Sequence, residues 1–434
     1  MTRGGGVGGS VLAVLLGLVV LVPQGLGAQQ RITLDEAIQR ALVRSPAMAQ
    51  QEQAVGNAEA GRLQTWGAFL PSLSLSSSSS LRSQARFDPT TDRIVSGSSD
   101  SYSAGLSASY TVFAGGRRFA DLNRSRADLE AAMARREDQR FQVTLQTRNL
   151  FFDALRQEDL LDVARIQLRQ AEESMEMVLV RRRVGTATVS DSLRARLGVV
   201  NARQAVLQGE TTLRAARFAL GRQIGEGTPV VPVRPEDLDP RPLALSDEEI
   251  LQLAEAQAPS VRAAEDAARA AEAQVTSART AYLPTFTFSS GYNWANQNAS
   301  LQGGTTSWSL SLRASYPLFN GFQRESSVDR AEFARTVARL QEEDARLAAR
   351  EEADAALHRL RTAEEAIAIA AEGLEVARED LRVVRERYRV GVATILDVLI
   401  SQAAADQAAA DAVTARYDYI LARAQLEAVL GREL

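Results

Sequence analysis

The 434-residue sequence contains no cysteine. That excludes a disulfide framework, a thiolate metal centre and an acylated cysteine. Lysine is absent as well. All 50 basic residues are arginine, set against 54 acidic ones, for a net charge of −4. A chain so nearly balanced carries no electrostatic footprint for nucleic acid. Histidine occurs once, at His358, in a stretch of Ala, Glu and Arg, and is read as an ordinary helix residue. No glycine-rich phosphate loop, metal cluster or nucleophile–base pair is found, and one histidine is poor material for acid–base work. Acidic neighbours such as Glu351 and Glu352 belong to a solvated helix face. The sequence therefore reads as a non-enzyme with no cofactor and no metal. The one long apolar run, Val11–Val22, follows Arg3 and precedes the small residues Gly25–Ala28. It falls short of the roughly 20 residues a spanning helix needs, and residues 1–28 read as a signal peptide cut near 27–28.

What is present is a duplication. Arg183-Val184-Gly185-Thr186-Ala187-Thr188-Val189-Ser190-Asp191 returns as Arg389-Val390-Gly391-Val392-Ala393-Thr394-Ile395-Leu396-Asp397, 206 residues later. Phe69-Leu70-Pro71 returns as Tyr282-Leu283-Pro284, and Pro46 as Pro259, both at an offset of 213. Tyr110 to Gly115 matches Tyr316 to Gly321 at 206, and Leu220-Gly221-Arg222 matches Leu430-Gly431-Arg432 at 210. The chain divides into a first repeat over 29–227, a proline-rich linker over 228–244 and a second repeat over 245–434. The linker offers a short edge strand at Val230-Val231.

Proline is scarce, with none between Pro89 and Pro229 and none after Pro317. This leaves room for helices over 117–183 and 323–389, each roughly 100 Å long at 1.5 Å per residue. Such helices must bury a stripe, here largely alanine with spaced Leu, Val and Phe. The Gly185 and Gly391 stretches are then tight reversals at the tips of helical hairpins. Each repeat begins with a short helix (34–44 in the first) and a second helix opened by Pro46 or Pro259.

Between those helices and the long ones the period changes from 3.6 to 2. Tyr102, Ala104, Leu106, Ala108, Tyr110 and Val112 alternate with small polar residues, as do Trp308, Leu310, Leu312, Ala314, Tyr316 and Leu318. Strands are expected at about 71–86, 101–113, 284–296 and 305–319, with loops over 87–99 and 297–304. Four strands cannot close a barrel, for which about eight is the minimum. The sheet either packs on a soluble core or joins sheets of other copies into an oligomeric membrane barrel. Aromatic residues near the strand ends and an almost uncharged polar face favour the barrel.

With both tips and both Tyr-x-x-Phe-x-Gly strand exits in register, the chain resembles the TolC-like outer membrane efflux proteins over essentially its whole mature length. The resemblance implies a mainly α fold with a β-barrel. Duplicated long-helix hairpins and two β-hairpins per chain trimerise into a 12-stranded outer-membrane barrel and a 12-helix periplasmic tube. It implies a passive exit duct of a tripartite efflux or type I secretion system. The implied partners are outer membrane lipid, a periplasmic adaptor (membrane fusion) protein and an inner-membrane pump of RND, ABC or MFS type. A periplasmic coiled-coil adaptor or structural protein is the alternative, and it leaves the four strands unexplained.

Carried over by motif, the adaptor-docking residues are Val184, Gly185, Thr186, Val390, Gly391 and Val392. The same glycines also serve simply as helix ends. The family's resting gate uses a tyrosine, an arginine and two aspartates. Here Tyr388 and Asp397 match, and Asp191 is the expected partner of Tyr388. Ala393 stands in the arginine's place and Ile400 in the second aspartate's, so Ile400 is expected to narrow the pore by apolar contact. Asp397 also suits a helix N-cap.

Overall fold

The computed structural model describes residues 31–90, 92–236, 240–300 and 302–434. The expected signal peptide lies outside them. The first repeat begins with β1 (Arg31–Ile32) and α1 (Leu34–Arg44), whose N-terminus is closed by a Thr33–Glu36 capping box. The Ser45 hydroxyl accepts from the Met48 amide to cap α2 (Pro46–Gly67), with Pro46 at the first helical position, where its missing N–H costs nothing. The sequence then alternates and extends as β2 (Ser72–Asp88) and β3 (Arg93–Ala114). The chain re-enters helix as α3 (Arg117–Arg183), 67 residues without a break, and turns into α4 (Val189–Gln223). The linker supplies β4 (Val231–Pro232), which pairs in parallel with β1.

The second repeat runs in the same order. It comprises α5 (Asp247–Gln257), α6 (Pro259–Arg279), β5 (Thr285–Asn296), β6 (Thr305–Ser315), the 67-residue α7 (Gln323–Arg389) and α8 (Ile395–Leu430). Within each repeat the shorter helices pack along the long one: α2 and α4 on α3, α6 and α8 on α7. The two halves meet along α3, which also packs against α6 and α8. Arginine–carboxylate pairs tie α5 and α6 to α7, among them Arg346–Glu265 at 2.6 Å, Arg339–Glu272 at 2.8 Å and Arg350–Glu255 at 2.9 Å. At these exposed sites each is worth about 0–1 kcal/mol, so the alanine seam rather than the ion pairs carries the association.

The four long strands form one antiparallel sheet in the order β2-β3-β5-β6. One face is a hydroxyl ladder, with Ser74–Ser107 at 2.7 Å, Ser78–Ser103 at 2.8 Å and Ser289–Ser311 at 2.8 Å. The other carries Leu75, Leu106, Tyr292, Trp308 and Leu312, all exposed on the single chain. β2 and β6 are the sheet's outer edges, and among the described residues neither has a second neighbour.

Two strand limits differ from expectation. β3 begins at Arg93, inside the stretch expected to be loop, and pairs with β2 down to Asp88↔Arg93. Ladder bonds are made by backbone, so Ser, Gly and Asp do not stop them once Phe87 and Ile94 pair across the hairpin. β3 meets β5 only from Tyr102 onward, so the first hairpin projects beyond the sheet. β6 stops at Ser315 rather than running to 319, because Pro317 has no N–H for the ladder.

The apolar core is split along the shaft. Midway, Ile32, Phe151, Leu155, Leu220, Ile224 and Tyr417 pack together, next to Ile250, Leu357, Leu360, Tyr419 and Leu426. The linker is pinned there. The Tyr417 hydroxyl donates to Asp159 at 2.8 Å, and Arg234 pairs with the same carboxylate. A third cluster of Val178, Ala195, Val384, Tyr388, Ile395 and Val398 lies at the hairpin tips, roughly 100 Å of helix from the sheet. Among the described residues no helix is long and apolar enough to cross a membrane.

Candidate functional site at the hairpin tips

Both tips are built from the same two local devices. α3 ends in a Schellman motif, with the Thr186 amide donating to the Arg181 carbonyl at 2.9 Å and the Gly185 amide to the Arg182 carbonyl at 3.1 Å. α7 ends likewise, with Val392 to Arg387 at 2.8 Å and Gly391 to Tyr388 at 3.0 Å. The motif demands a left-handed residue, and the two glycines supply it with φ of 79° and 87°. Three residues after each glycine, a threonine opens the returning helix with a capping box. The Asp191 carboxylate accepts from the Thr188 amide at 2.9 Å, and Asp397 from the Thr394 amide at 2.8 Å. Those bonds hold both carboxyls below the usual carboxylate range.

The surface this leaves is apolar. Val184 and Val390 are each 70% exposed and Val392 is 68% exposed, around the two open glycines and Thr186. Three valines held out on rigid turns form a patch that a partner's side chains can cover. Asp397 and Ile400, one helical turn apart on α8, are both exposed. Ala393 is half-buried and packs on the tip cluster.

The structure does not hydrogen-bond Asp191 to Tyr388. Asp191 lies near enough for its charge to raise the Tyr388 phenol, but burial is the larger cause of that rise. The Asp191 carboxylate is engaged by Thr188, and the Tyr388 hydroxyl is buried without a hydrogen-bond partner. Tyr388 is instead engaged by Arg181 of the first repeat. That guanidinium stacks 4.5 Å from the ring centroid and donates to the Tyr388 carbonyl. Sequence reasoning missed Arg181. The available signal was a break in the repeat: Arg181 corresponds to Arg387, but Tyr388 corresponds to Arg182, so only one tip has an aromatic face to stack on.

Above the tips α3, α4 and α8 enclose a cleft of about 510 Å³ lined in part by Ser174, Asn201, Leu399, Gln402 and Asp406. Burial pushes the Asp406 carboxyl up to about 6, with Arg385 pulling the other way.

Comparison with known proteins agrees with this fold over most of the chain. The family model for outer membrane efflux proteins matches residues 37–226 and 250–432, one match per repeat. Protein CyaE of Bordetella pertussis is 31% identical over 415 residues, covering 91% of this chain and 81% of CyaE. The pyoverdine export outer membrane protein OpmQ of Pseudomonas aeruginosa is 28% identical over 312 residues, 69% of this chain and 64% of OpmQ. Among solved structures, CusC superposes with a TM-score of 0.80 at 21% identity, covering 92% of each chain. VceC of Vibrio cholerae superposes with a TM-score of 0.77 at 18% identity, over 92% of this chain and 96% of VceC. At those identities the superpositions speak for the fold.

Proposed function

Because the chain belongs to the outer membrane efflux protein family, we propose that it is the outer-membrane exit duct of a tripartite efflux or type I secretion system. It sits in the outer membrane with its helical shaft in the periplasm. Three copies join their four-stranded sheets, edge β2 to edge β6, into a 12-stranded barrel. The hydroxyl ladder faces a water-filled lumen and the Leu, Tyr and Trp face meets lipid. Lipid tolerates no open sheet edge, and four strands are too few to close alone, so the partner that covers each edge is another copy. The helices of three copies make a 12-helix tube.

The observation that carries this reading is the polarity of the molecule. An open-edged sheet with one exposed apolar face stands at one end, and two matched, rigid, apolar turns stand at the other. The turns, through Val184, Gly185, Thr186, Val390, Gly391 and Val392, dock the helical hairpins of a periplasmic adaptor, which links the duct to an inner-membrane pump of RND, ABC or MFS type. Asp397 and Ile400, on the exposed face of α8 beside the turns, form the narrow end of the resting pore. Tyr388, with Asp191 beside it, holds the tips together.

The test is direct because the chain has no cysteine of its own. A single cysteine at Val184 or Val392 is expected to cross-link to an adaptor in the cell envelope, and the purified protein to run as a trimer that conducts ions in a planar bilayer. A protein that stays monomeric and soluble without detergent contradicts the reading.

A further inference from the structure

The two turns are joined to each other by one side chain. Arg181 is the third residue from the end of α3, and its own carbonyl accepts the Thr186 amide of the first turn. Its side chain crosses to the second turn, where Nη1 donates to the Tyr388 carbonyl and lies 3.4 Å from the Arg389 carbonyl. The Tyr388 carbonyl already accepts the Gly391 amide that closes the second turn. A carbonyl oxygen has two lone pairs, and here one serves the turn and the other the bridge. The guanidinium plane covers the Tyr388 ring, and the ring, 4% exposed, fills the tip cluster beneath it.

Further polar ties join α3 to the tip-side half of the second hairpin, below the Tyr417–Asp159, Arg156–Asp418 and Arg148–Glu427 pairs midway along the shaft. Gln167 donates to the Asp406 carbonyl at 3.3 Å, Arg385 to Gln170 at 3.4 Å and Ser174 to Gln402 at 3.2 Å. Arg181 supplies the tie nearest the tip; it is charge-assisted, as Arg385–Gln170 is, and alone among these it grips backbone and ring at once. The second hairpin cannot swing away from α3 unless the guanidinium leaves both.

We propose that Arg181 is the positioning residue that keeps the tip closed, acting through the face and carbonyl of Tyr388 and not through its hydroxyl. This rests on the reading of the tips as the closing end of a duct. It makes the lock an intramolecular contact between the two repeats. It also explains how a tip with alanine at position 393 is held. An adaptor that opens the duct must displace this contact, and the exposed Val390 and Val392 flank it.

The experiment is single-channel recording of purified trimers in planar bilayers, with thermal stability and trimer content measured alongside. Arg181→Ala is expected to raise the open-to-closed ratio about tenfold, Tyr388→Leu, which removes the ring face but keeps the carbonyl, nearly as much, and the double variant no further than Arg181→Ala, because Arg181 makes both contacts. Tyr388→Phe keeps the ring face and the carbonyl, and is expected to shift the ratio about tenfold less than Tyr388→Leu. Arg182→Ala is the control, since Arg182 donates to Ser192 within the first tip and is expected to conduct as wild type. Should Arg181→Ala fail to assemble, the Leu-against-Phe comparison at Tyr388 decides alone. The proposal is overturned if Tyr388→Phe opens the channel as far as Tyr388→Leu, which would place the lock on the hydroxyl. It is also overturned if Arg181→Ala or Tyr388→Leu trimers conduct as wild type. A wild-type protein that conducts nothing refutes the duct itself rather than the lock.

Discussion

The two hairpin tips share a turn but not an anchor. Both end a 67-residue helix in a Schellman motif on a left-handed glycine and start the return with a Thr–Asp capping box. At the position just before the last turn the first tip has Arg182, exposed and bonded to Ser192 in the same tip. The second has Tyr388, buried beneath an arginine from the other half. Local turn chemistry was duplicated with the sequence, whereas the contact that fixes one tip against the other was not. The second tip therefore supplies the aromatic face, and the first the arginine, of the contact on which the proposed gate rests.

The largest effect is expected from breaking what the tips share. A Cβ at Gly185 meets open space and one at Gly391 only Arg181 Nη2 at 3.7 Å, so the first cost of valine at either site is backbone strain. That strain is about 1–2 kcal/mol for a side chain forced left-handed. Export should fail at either site while trimers still insert, whereas asparagine, which tolerates that conformation, should retain export. Loss of insertion with valine would show the turns to be assembly elements. Next, the tips should part company in the pore. Asp397→Asn is expected to weaken block by multivalent cations added from the periplasmic side by about tenfold, since the proposed trimer sets three of these carboxylates around the axis. Asp191→Asn should do less, and equal effects would remove the distinction.

A smaller and symmetric effect is expected from the caps. Thr188→Ala and Thr394→Ala should each cost about 1 kcal/mol in chemical denaturation, and by similar amounts, because the two boxes have the same geometry. Both aspartates have folded-state values below their unfolded ones, so their stabilising contribution is present at neutral pH. It fades only as pH falls through the carboxylate range and below. The smallest effect belongs to Asp406. Its folded-state value of about 6 lies above the ordinary one, so the native chain binds the extra proton and stability drops as pH rises from about 4 to about 6. Asp406→Asn should remove that slope and stabilise at pH 7 by less than about 1 kcal/mol, because the group remains partly solvated. A denaturation series across that pH range would show an unchanged slope if Asp406 were fully hydrated.

Much of this was legible in the sequence because it is set by near neighbours. Proline-free alanine-rich stretches fix the long helices, and Gly, Thr and Asp at fixed spacing fix each turn and cap. Alternating Leu, Tyr and Trp fix four strands. The misses have physical reasons. Residues 93–100 read as loop because they are small and polar, yet strand pairing is made by backbone and one Phe87–Ile94 pair was enough to extend it. Arg181 was one arginine among 50. Its role comes from the reach of a long side chain to a residue 207 positions away, brought near only when the two repeats pack side by side. Asp191, assigned to Tyr388 by motif, turned inward to Thr188 because an N-cap amide three residues away is always within reach.

Single-channel conductance of the purified trimer, wild type against Arg181→Ala in the same bilayer, tests the account most directly. A wild-type channel that is mostly closed and a variant about tenfold more open, with unchanged trimer content, is the result expected. Two traces of equal open probability would contradict the claim that one arginine, bridging two copies of the same turn, keeps the end of the duct shut.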